Sequence, residues 1–311
     1  MEYNYTIIIP HYNIPKLLCR LLLTIPVRDD VQVIVVDDCS SIETQVKLLK
    51  IKAEFPQVEW FSTGSNGGGG KARNIGLKHA KGKYLIFADA DDFFNPCFED
   101  ALNRYKAKSY DMVFFAANSL DTDTYQSCNR DCAITPLVNR FVKTSDESVI
   151  KHKFTAPWCR FIRRELIEAN DIRFQEVSAY NDMWFCMLAE QHSKNIFADT
   201  LAIYCVTHRT DSTSSVSNPQ KEVLKMDVVC HYYAYAKQKH IKVASLWSLI
   251  GPMLDELRRS EWRQYRKQAY DIWYEKGFRR RDLKKALFVY KLYMKILIPG
   301  YNVFKMLFQA H

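Results

Sequence analysis

The chain is expected to fold as an α/β protein, with a mostly parallel sheet flanked by helices and a helical C-terminal region. Three observations carry this expectation. Strand-like apolar runs alternate with helix-length stretches through the first hundred residues, the signature of βαβ units with right-handed crossovers. Three of the strand runs end in polar residues, Pro10-His11-Tyr12-Asn13, Asp37-Asp38 and Asp89 to Asp92, at the edge where open parallel sheets collect ligands. After a Ser/Thr/Asp-rich stretch at 210–219, helical periodicity runs to the end. The 311 residues, 48% apolar and 14% aromatic, are enough to bury a sizeable core.

In order, Tyr5–Pro10 is an unbroken β-branched run that Pro10 stops. Residues 14–25 carry Leu and Ile at helical spacing, Val31–Val36 is a second buried strand, 42–54 a helix and Val58–Phe61 a short strand. A glycine-rich loop leads into a helix over 71–80, and Tyr84–Ala88 is the fourth strand. Asp111–Ala117 reads as a strand and 118–135 as polar turns. Helices are expected at 159–170 and 181–192, and a strand at Leu201–Thr207. The remaining helices fall near 220–240, 243–258, 260–276 and 282–298, with a boundary near 215 and no internal repeat.

Charge is unevenly spread. Residues 251–311 hold 14 Lys and Arg against 6 Asp and Glu, so +8 of the net +9 sits in the last fifth of the chain. One end of the molecule is therefore expected to meet an anionic surface. The nine cysteines are scattered and odd in number, only Cys128 and Cys132 lie close together, and no second pair completes a zinc spacing. This favours a reducing compartment. Met1 to Thr6 shows no basic-then-apolar secretory pattern, and no run approaches the roughly 18 apolar residues of a spanning helix.

Asp89, Asp91 and Asp92 crowd three carboxylates behind a buried strand, where they repel unless a cation or hydrogen-bond donors compensate. A hard divalent ion bridging one or two carboxylates to phosphates is one reading. A turn and helix cap is the other. Asn66 to Gly76 contains four consecutive glycines, then Lys71 and Arg73. Such a stretch lets a backbone approach an anion at a helix N-terminus or forms a flexible surface loop. It is no Walker loop, because Ser65 and Ala72 stand where Gly and Ser/Thr are needed. Gly67-x-Gly69-x-x-Ala72 fits a degenerate dinucleotide fingerprint, yet two strand–helix units precede it. Asp37-Asp38 could receive ribose hydroxyls or a base N–H, or cap a helix together with Ser40 or Ser41.

In order and spacing, Ile7 to Asn13, Val35 to Ser40, Asn66 to Gly76 and Phe87 to Asp92 resemble the family 2 glycosyltransferases, closely over 1–95 and more loosely to about 215. The resemblance implies a Rossmann-like glycosyltransferase A fold, a UDP-sugar donor, Mg²⁺ or Mn²⁺, and inversion at the anomeric carbon. It implies a catalytic domain over 1–215, divided into a nucleotide-binding half at 1–95 and an acceptor half at 96–215, before a basic helical region at 216–311. By matching position, Pro10 and Tyr12 line the nucleoside pocket and Asp38 meets base or ribose. Gly67 belongs to the nucleotide loop, Arg73 contacts the nucleotide, Asp89 the ribose and Asp91 the metal. The four-glycine loop departs from the family's usual single glycine and leaves the loop's role open.

Inversion needs a base opposite the leaving group. The family's acidic pattern at a helix start matches Asn181-Asp182-Met183-Trp184-Phe185, which makes Asp182 the candidate base, with capping as the plainer role of either residue. An acid of the pattern has become Asn181, which could orient the acceptor. Trp158 could stack on a sugar or belong to the core. His208 could complete the metal shell and Arg209 clamp a phosphate, although a lone histidine is more often structural. His11 lies near the nucleoside pocket by position.

Over 282–298, Lys284, Lys291 and Lys295 form a stripe beside Leu283, Leu287, Tyr290 and Met294, and an aromatic tail follows at 301–308. Together with Arg279-Arg280-Arg281 this fits helices lying on an anionic membrane surface. A basic solvated helix packed on the catalytic domain is the alternative. The expected protein is thus cytoplasmic and peripheral at the inner face of the cell membrane. It takes a nucleotide-sugar donor and a saccharide or lipid-linked saccharide acceptor in bacterial surface-polysaccharide synthesis. A nucleotidyltransferase or NAD-dependent enzyme would want its glycine fingerprint after the first strand. A nucleic-acid-binding protein would want a reading motif that this chain lacks, so no nucleic acid is expected.

Overall fold

The computed structural model describes residues 3–209, 218–243, 246–258 and 260–297, and the chain divides into two compact units, Met1–Thr213 and Ser214–His311. The first unit runs β1 (Tyr5–His11), α1 (Pro15–Leu23), β2 (Val31–Asp37), α2 (Ile42–Glu54), β3 (Val58–Ser62), α3 (Gly68–His79), β4 (Tyr84–Phe87) and β5 (Phe93–Phe94). It continues with α4 (Phe98–Tyr105), β6 (Met112–Asp121), α5 (Thr135–Thr144), β7 (Arg160–Arg163), α6 (Arg164–Ala169), α7 (Asn181–His192) and β8 (Ile196–His208).

These eight strands make one sheet in the order β3-β2-β1-β4-β7-β6-β8-β5. It is parallel from β3 to β4 and mixed beyond, because β7 runs antiparallel to both β4 and β6 while β8 is parallel to β6. The β1 strand is central. Ile7, Ile8 and Ile9 are fully buried, as an unbroken β-branched run requires when helices cover both sheet faces. Its two buried polar neighbours satisfy each other, with Thr6 Oγ1 donating to Gln32 Oε1 at 2.7 Å. The α3 helix can lie flat on β1 because Gly76 has no Cβ; one built there would sit 2.4 Å from Ile8 Cγ2.

Four expected elements differ. Residues 160–163 form β7 before the short α6, instead of one helix over 159–170. Phe161 and Ile162 are fully buried between β4 and β6, and filling that gap overrides local helix preference. The β6 strand reaches into the start of the expected turns, as far as Asp121, carried by its long pairing with β8, which itself starts at Ile196. The α3 helix begins at Gly68 within the expected loop.

The second unit contains α8 (Pro219–Gln238), α9 (Leu246–Glu256), α10 (Arg263–Glu275) and α11 (Arg280–Leu297). Asn218 caps α8 by accepting from Lys221 N at 2.8 Å. Leu283, Ala286, Ile250, Met253 and Leu254 are buried, and Tyr290 packs against Gly251. Leu283 and Tyr290, expected on a lipid face, therefore serve the helix packing. The exposed side of α11 carries Arg281, Lys284, Lys285, Phe288, Lys291 and Leu292. The aromatic stretch at 301–308 lies outside the described residues. Among the described residues no helix is long and apolar enough to cross a membrane.

Candidate active site

Because β1, β2 and β4 are parallel, their C-terminal ends open on one edge of the sheet, and the polar residues singled out in the sequence gather there. His11 and Asp37 sit in register at the ends of β1 and β2. His11 Nδ1 lies 2.8 Å from Asp37 Oδ1, while His11 Nε2 accepts the Ile14 N–H at 3.3 Å. This pattern assigns the proton to Nδ1 of a neutral ring, and burial pushes the imidazole pKa down. His11 thus braces the turn. The following chain holds Asn13 at φ 57°, with its N–H donating to Ser40 Oγ and its Oδ1 accepting from Ser41 N. Pro10 is half-buried, and Tyr12 stands 48% exposed at the rim, an aromatic face open to a planar ligand.

Asp38, expected at base or ribose, is buried here. Its two carboxylate oxygens accept the backbone N–H groups of Gly67 and Gly68 at 2.9 and 2.6 Å. It anchors the start of α3. Gly68 has φ +81°, a conformation that suits glycine. Gly70 is needed for another reason: a Cβ there would lie 2.1 Å from the Gln175 carbonyl oxygen. Close approach at Gly70 is therefore to the protein's own 175–181 segment. Asn74 secures the same segment, with Nδ2 donating to Phe174 O and Oδ1 accepting from Phe174 N at 3.0 and 2.9 Å.

Arg73, one turn into α3, ties the site together. Its guanidinium donates to Asp89 Oδ1 at 2.6 Å and to Asn181 Oδ1 at 2.9 Å, and it lies over the Phe174 ring. One largely buried cation therefore joins the end of β4 to the N-terminus of α7. Asp182 stands in the first turn of α7, half-buried beside this bridge. Burial raises its pKa, opposed by the Arg73 charge and reinforced by Asp89. A carboxylate with a raised pKa beside the C-terminal edge of the sheet suits proton abstraction.

The three carboxylates behind β4 have separate roles. Asp89 faces Arg73 and is partly exposed. Asp92 is buried, accepting from Thr207 N at 2.7 Å, and its pKa is pushed well up by burial and then by Asp91 and Asp89. It pins the turn to β8. Asp91 lies between them. Its main-chain carbonyl receives the Thr207 hydroxyl at 2.6 Å and the Arg20 guanidinium, while its carboxylate Oδ2 accepts from Arg209 Nε at 3.1 Å. Burial and Asp89 raise its pKa, and Arg209 opposes them.

His208, expected beside Asp91, instead has Nδ1 3.3 Å from Asp121 Oδ2. Alternation along β8 sends neighbouring side chains to opposite faces, and Arg209 is the one that reaches Asp91. No group of three or more His, Cys, Asp and Glu side chains among the described residues is arranged to hold an ion. Asp91 itself suits one: it is a hard oxygen donor, crowded by like charge and already paired with a cation. Trp158 is buried and stacked with Tyr204 at 5.9 Å, which settles it as a core residue.

Sequence reasoning missed the fully buried Arg160–Glu190 pair, 2.7 Å apart, with Arg160 also over the Phe114 ring. It fastens α7 to β7, eight residues along the helix from Asp182. The only hint was two charged residues within otherwise apolar stretches.

A family model described as glycosyl transferase family 2 matches residues 6–170, just over half of the chain. The chain is 28% identical over 224 residues to poly(ribitol-phosphate) β-N-acetylglucosaminyltransferase TarS of Staphylococcus aureus, a match that covers 68% of this chain and 37% of that protein. It therefore spans well under half the length of that curated relative. Among solved structures, the crystal structure of S. aureus TarS 1–349 in complex with UDP-GlcNAc matches with a TM-score of 0.61 at 22% identity, covering 86% of this chain and 79% of that one. Mannosyltransferase PcManGT from Pyrobaculum calidifontis, in complex with GDP-Man and Mn²⁺, matches with a TM-score of 0.56 at 15% identity, covering 100% and 85%. At these identities the structural likenesses are likenesses of fold.

Proposed function

The chain belongs to glycosyl transferase family 2, and from that premise we propose that it transfers a sugar from a UDP-sugar to a hydroxyl of a cell-surface saccharide or polyol polymer, with inversion. Its fold is of the glycosyltransferase A type. A nucleotide-sugar donor is supported by the UDP-GlcNAc and GDP-Man complexes of the two structural relatives, and a surface-polymer acceptor by the name of TarS. The observation that carries the reading is the Arg73 bridge, which joins the donor-side carboxylate Asp89 to the start of the helix that carries Asp182.

In this reading Tyr12 stacks on the base beside Pro10, and Gly67 and Gly68, held by Asp38, present the start of α3 to the nucleotide. Asp89, oriented by Arg73, receives the ribose hydroxyls. Asp182 accepts the proton of the acceptor hydroxyl as that oxygen bonds to the anomeric carbon. The carbon–phosphate oxygen bond breaks from the opposite face, and its electron pair leaves with UDP. Asp91 is the residue that would hold Mg²⁺ or Mn²⁺, and the ion would supply Lewis-acid stabilisation of the leaving group. Arg209 offers a guanidinium to the same diphosphate. The exposed basic side of α11, with Phe288 and Leu292 among its Lys and Arg, fits attachment to the anionic membrane where lipid-linked acceptors reside.

The test is a panel of UDP-sugars, UDP-GlcNAc included, assayed for UDP release with acceptor and either Mg²⁺ or Mn²⁺. The expected result is metal-dependent release with one donor preferred. Stabilisation by NAD but by no uridine nucleotide would overturn the reading.

A further inference from the structure

We propose that Arg209 is a resident counter-cation of Asp91, which must leave that carboxylate before a divalent ion can occupy it, so that the metal alone binds poorly and the nucleotide opens its site. This rests on the donor-site reading above. The motivating geometry is the Arg209 Nε to Asp91 Oδ2 contact at 3.1 Å, with the two side chains only 16% and 23% exposed. A guanidinium stays protonated at any working pH, so it cannot give way by losing its charge. Two cations on one poorly solvated carboxylate repel strongly. Entry of a metal ion therefore requires the Arg209 side chain to move away.

The local charges explain why the arginine rests there. Asp89, Asp91 and Asp92 lie within four residues, and Asp91 is crowded by its neighbours. Arg73 is committed to Asp89 and Asn181. Arg20 is aimed at the main-chain oxygen of Asp91. Arg209 is the cation placed on the Asp91 carboxylate itself. A diphosphate presents oxygens that match the guanidinium fork, so the nucleotide gives Arg209 a better partner and frees Asp91 for the ion that the same diphosphate brings. The exchange couples the two ligands, and the coupling is reciprocal: whatever factor UDP adds to metal affinity, the metal adds to UDP affinity.

The experiment titrates Mn²⁺ alone into the full chain, followed by the electron paramagnetic resonance of the free ion, for wild type, Arg209→Gln, Arg209→Lys and the double variant Arg209→Gln/Asp91→Asn. Arg209→Gln is expected to bind Mn²⁺ without nucleotide about tenfold more tightly than wild type, within the usual range of coupling between sites. Arg209→Lys, which keeps the charge, is expected to stay near wild type, and the double variant to lose the gain. Calorimetry of UDP at saturating Mn²⁺ is expected to show weaker binding to Arg209→Gln. Unchanged or weaker Mn²⁺ affinity in Arg209→Gln, or a gain that survives loss of Asp91, overturns the proposal. A wild type that UDP and Mn²⁺ together fail to stabilise thermally sinks the donor-site reading itself, which separates the two failures.

Discussion

Asp182 is the residue on which the proposed chemistry turns, and its surroundings make it testable. Replacing it with Asn keeps shape and removes the base. The turnover number is expected to fall about 10²–10⁴-fold while UDP affinity, measured by calorimetry, stays near wild type. A fall in UDP affinity with turnover retained would contradict the role. The raised pKa has a definite sign. The base works deprotonated, so activity is lost as pH falls through the folded value, and burial moves that value above the ordinary Asp position of about 3.9. The acid limb of the kcat/KM profile should therefore sit above that value, with wild type and the Asp182→Glu variant compared. At this scale motif and position singled out Arg73, Asp89 and Asp182, which the fold brings near one another. The sequence was silent on which residue each side chain meets. Nothing local says that Asp38 would hold Gly67 and Gly68, that Asp92 would hold Thr207, or that Arg209 and not His208 would face Asp91.

Between residues and the whole lie the elements that hold them. The first turn of α3 packs on the segment leading into α7, so Gly70→Ala should force the two apart. An overpacking penalty of about 1–3 kcal/mol is expected in urea unfolding, together with weakened UDP binding. Unchanged stability would show that the 175–181 segment yields freely. The Arg160–Glu190 pair makes a sharper case. Truncating Glu190 to Ala leaves a buried guanidinium uncompensated, a loss expected at about 3–5 kcal/mol. The double replacement Arg160→Met/Glu190→Leu should recover most of it. Strands with strong apolar patterning, such as β1, β2 and β4, were legible from periodicity alone. The β7 strand was not, because four residues carry too little pattern and its identity comes from the gap between β4 and β6 that it fills. The β6 and β8 ends were missed for the same reason, since their length is set by pairing with each other.

Across the whole molecule, the residues of the candidate site belong to the first unit, and nearly all the net positive charge to the last fifth of the chain. That asymmetry could be read from composition, and the helical character of the second unit from periodicity. Which side of α11 faces outward could not, because it depends on packing against α9. The full chain is expected to co-sediment with phosphatidylglycerol vesicles at low salt, to be released as salt rises, and to lose retention when Lys284, Lys285 and Lys291 are changed to Glu. Equal retention by the charge-reversed variant would remove the membrane proposal and leave the catalytic one intact. The catalytic account is tested most directly by manganese anomalous diffraction from crystals soaked with UDP and Mn²⁺. An anomalous peak bridging the Asp91 carboxylate and the diphosphate, with Arg209 moved off Asp91 and the uracil beside Tyr12, is the expected result. Nucleotide bound elsewhere, or a metal peak away from Asp91 while the Arg209 pair persists, would contradict it.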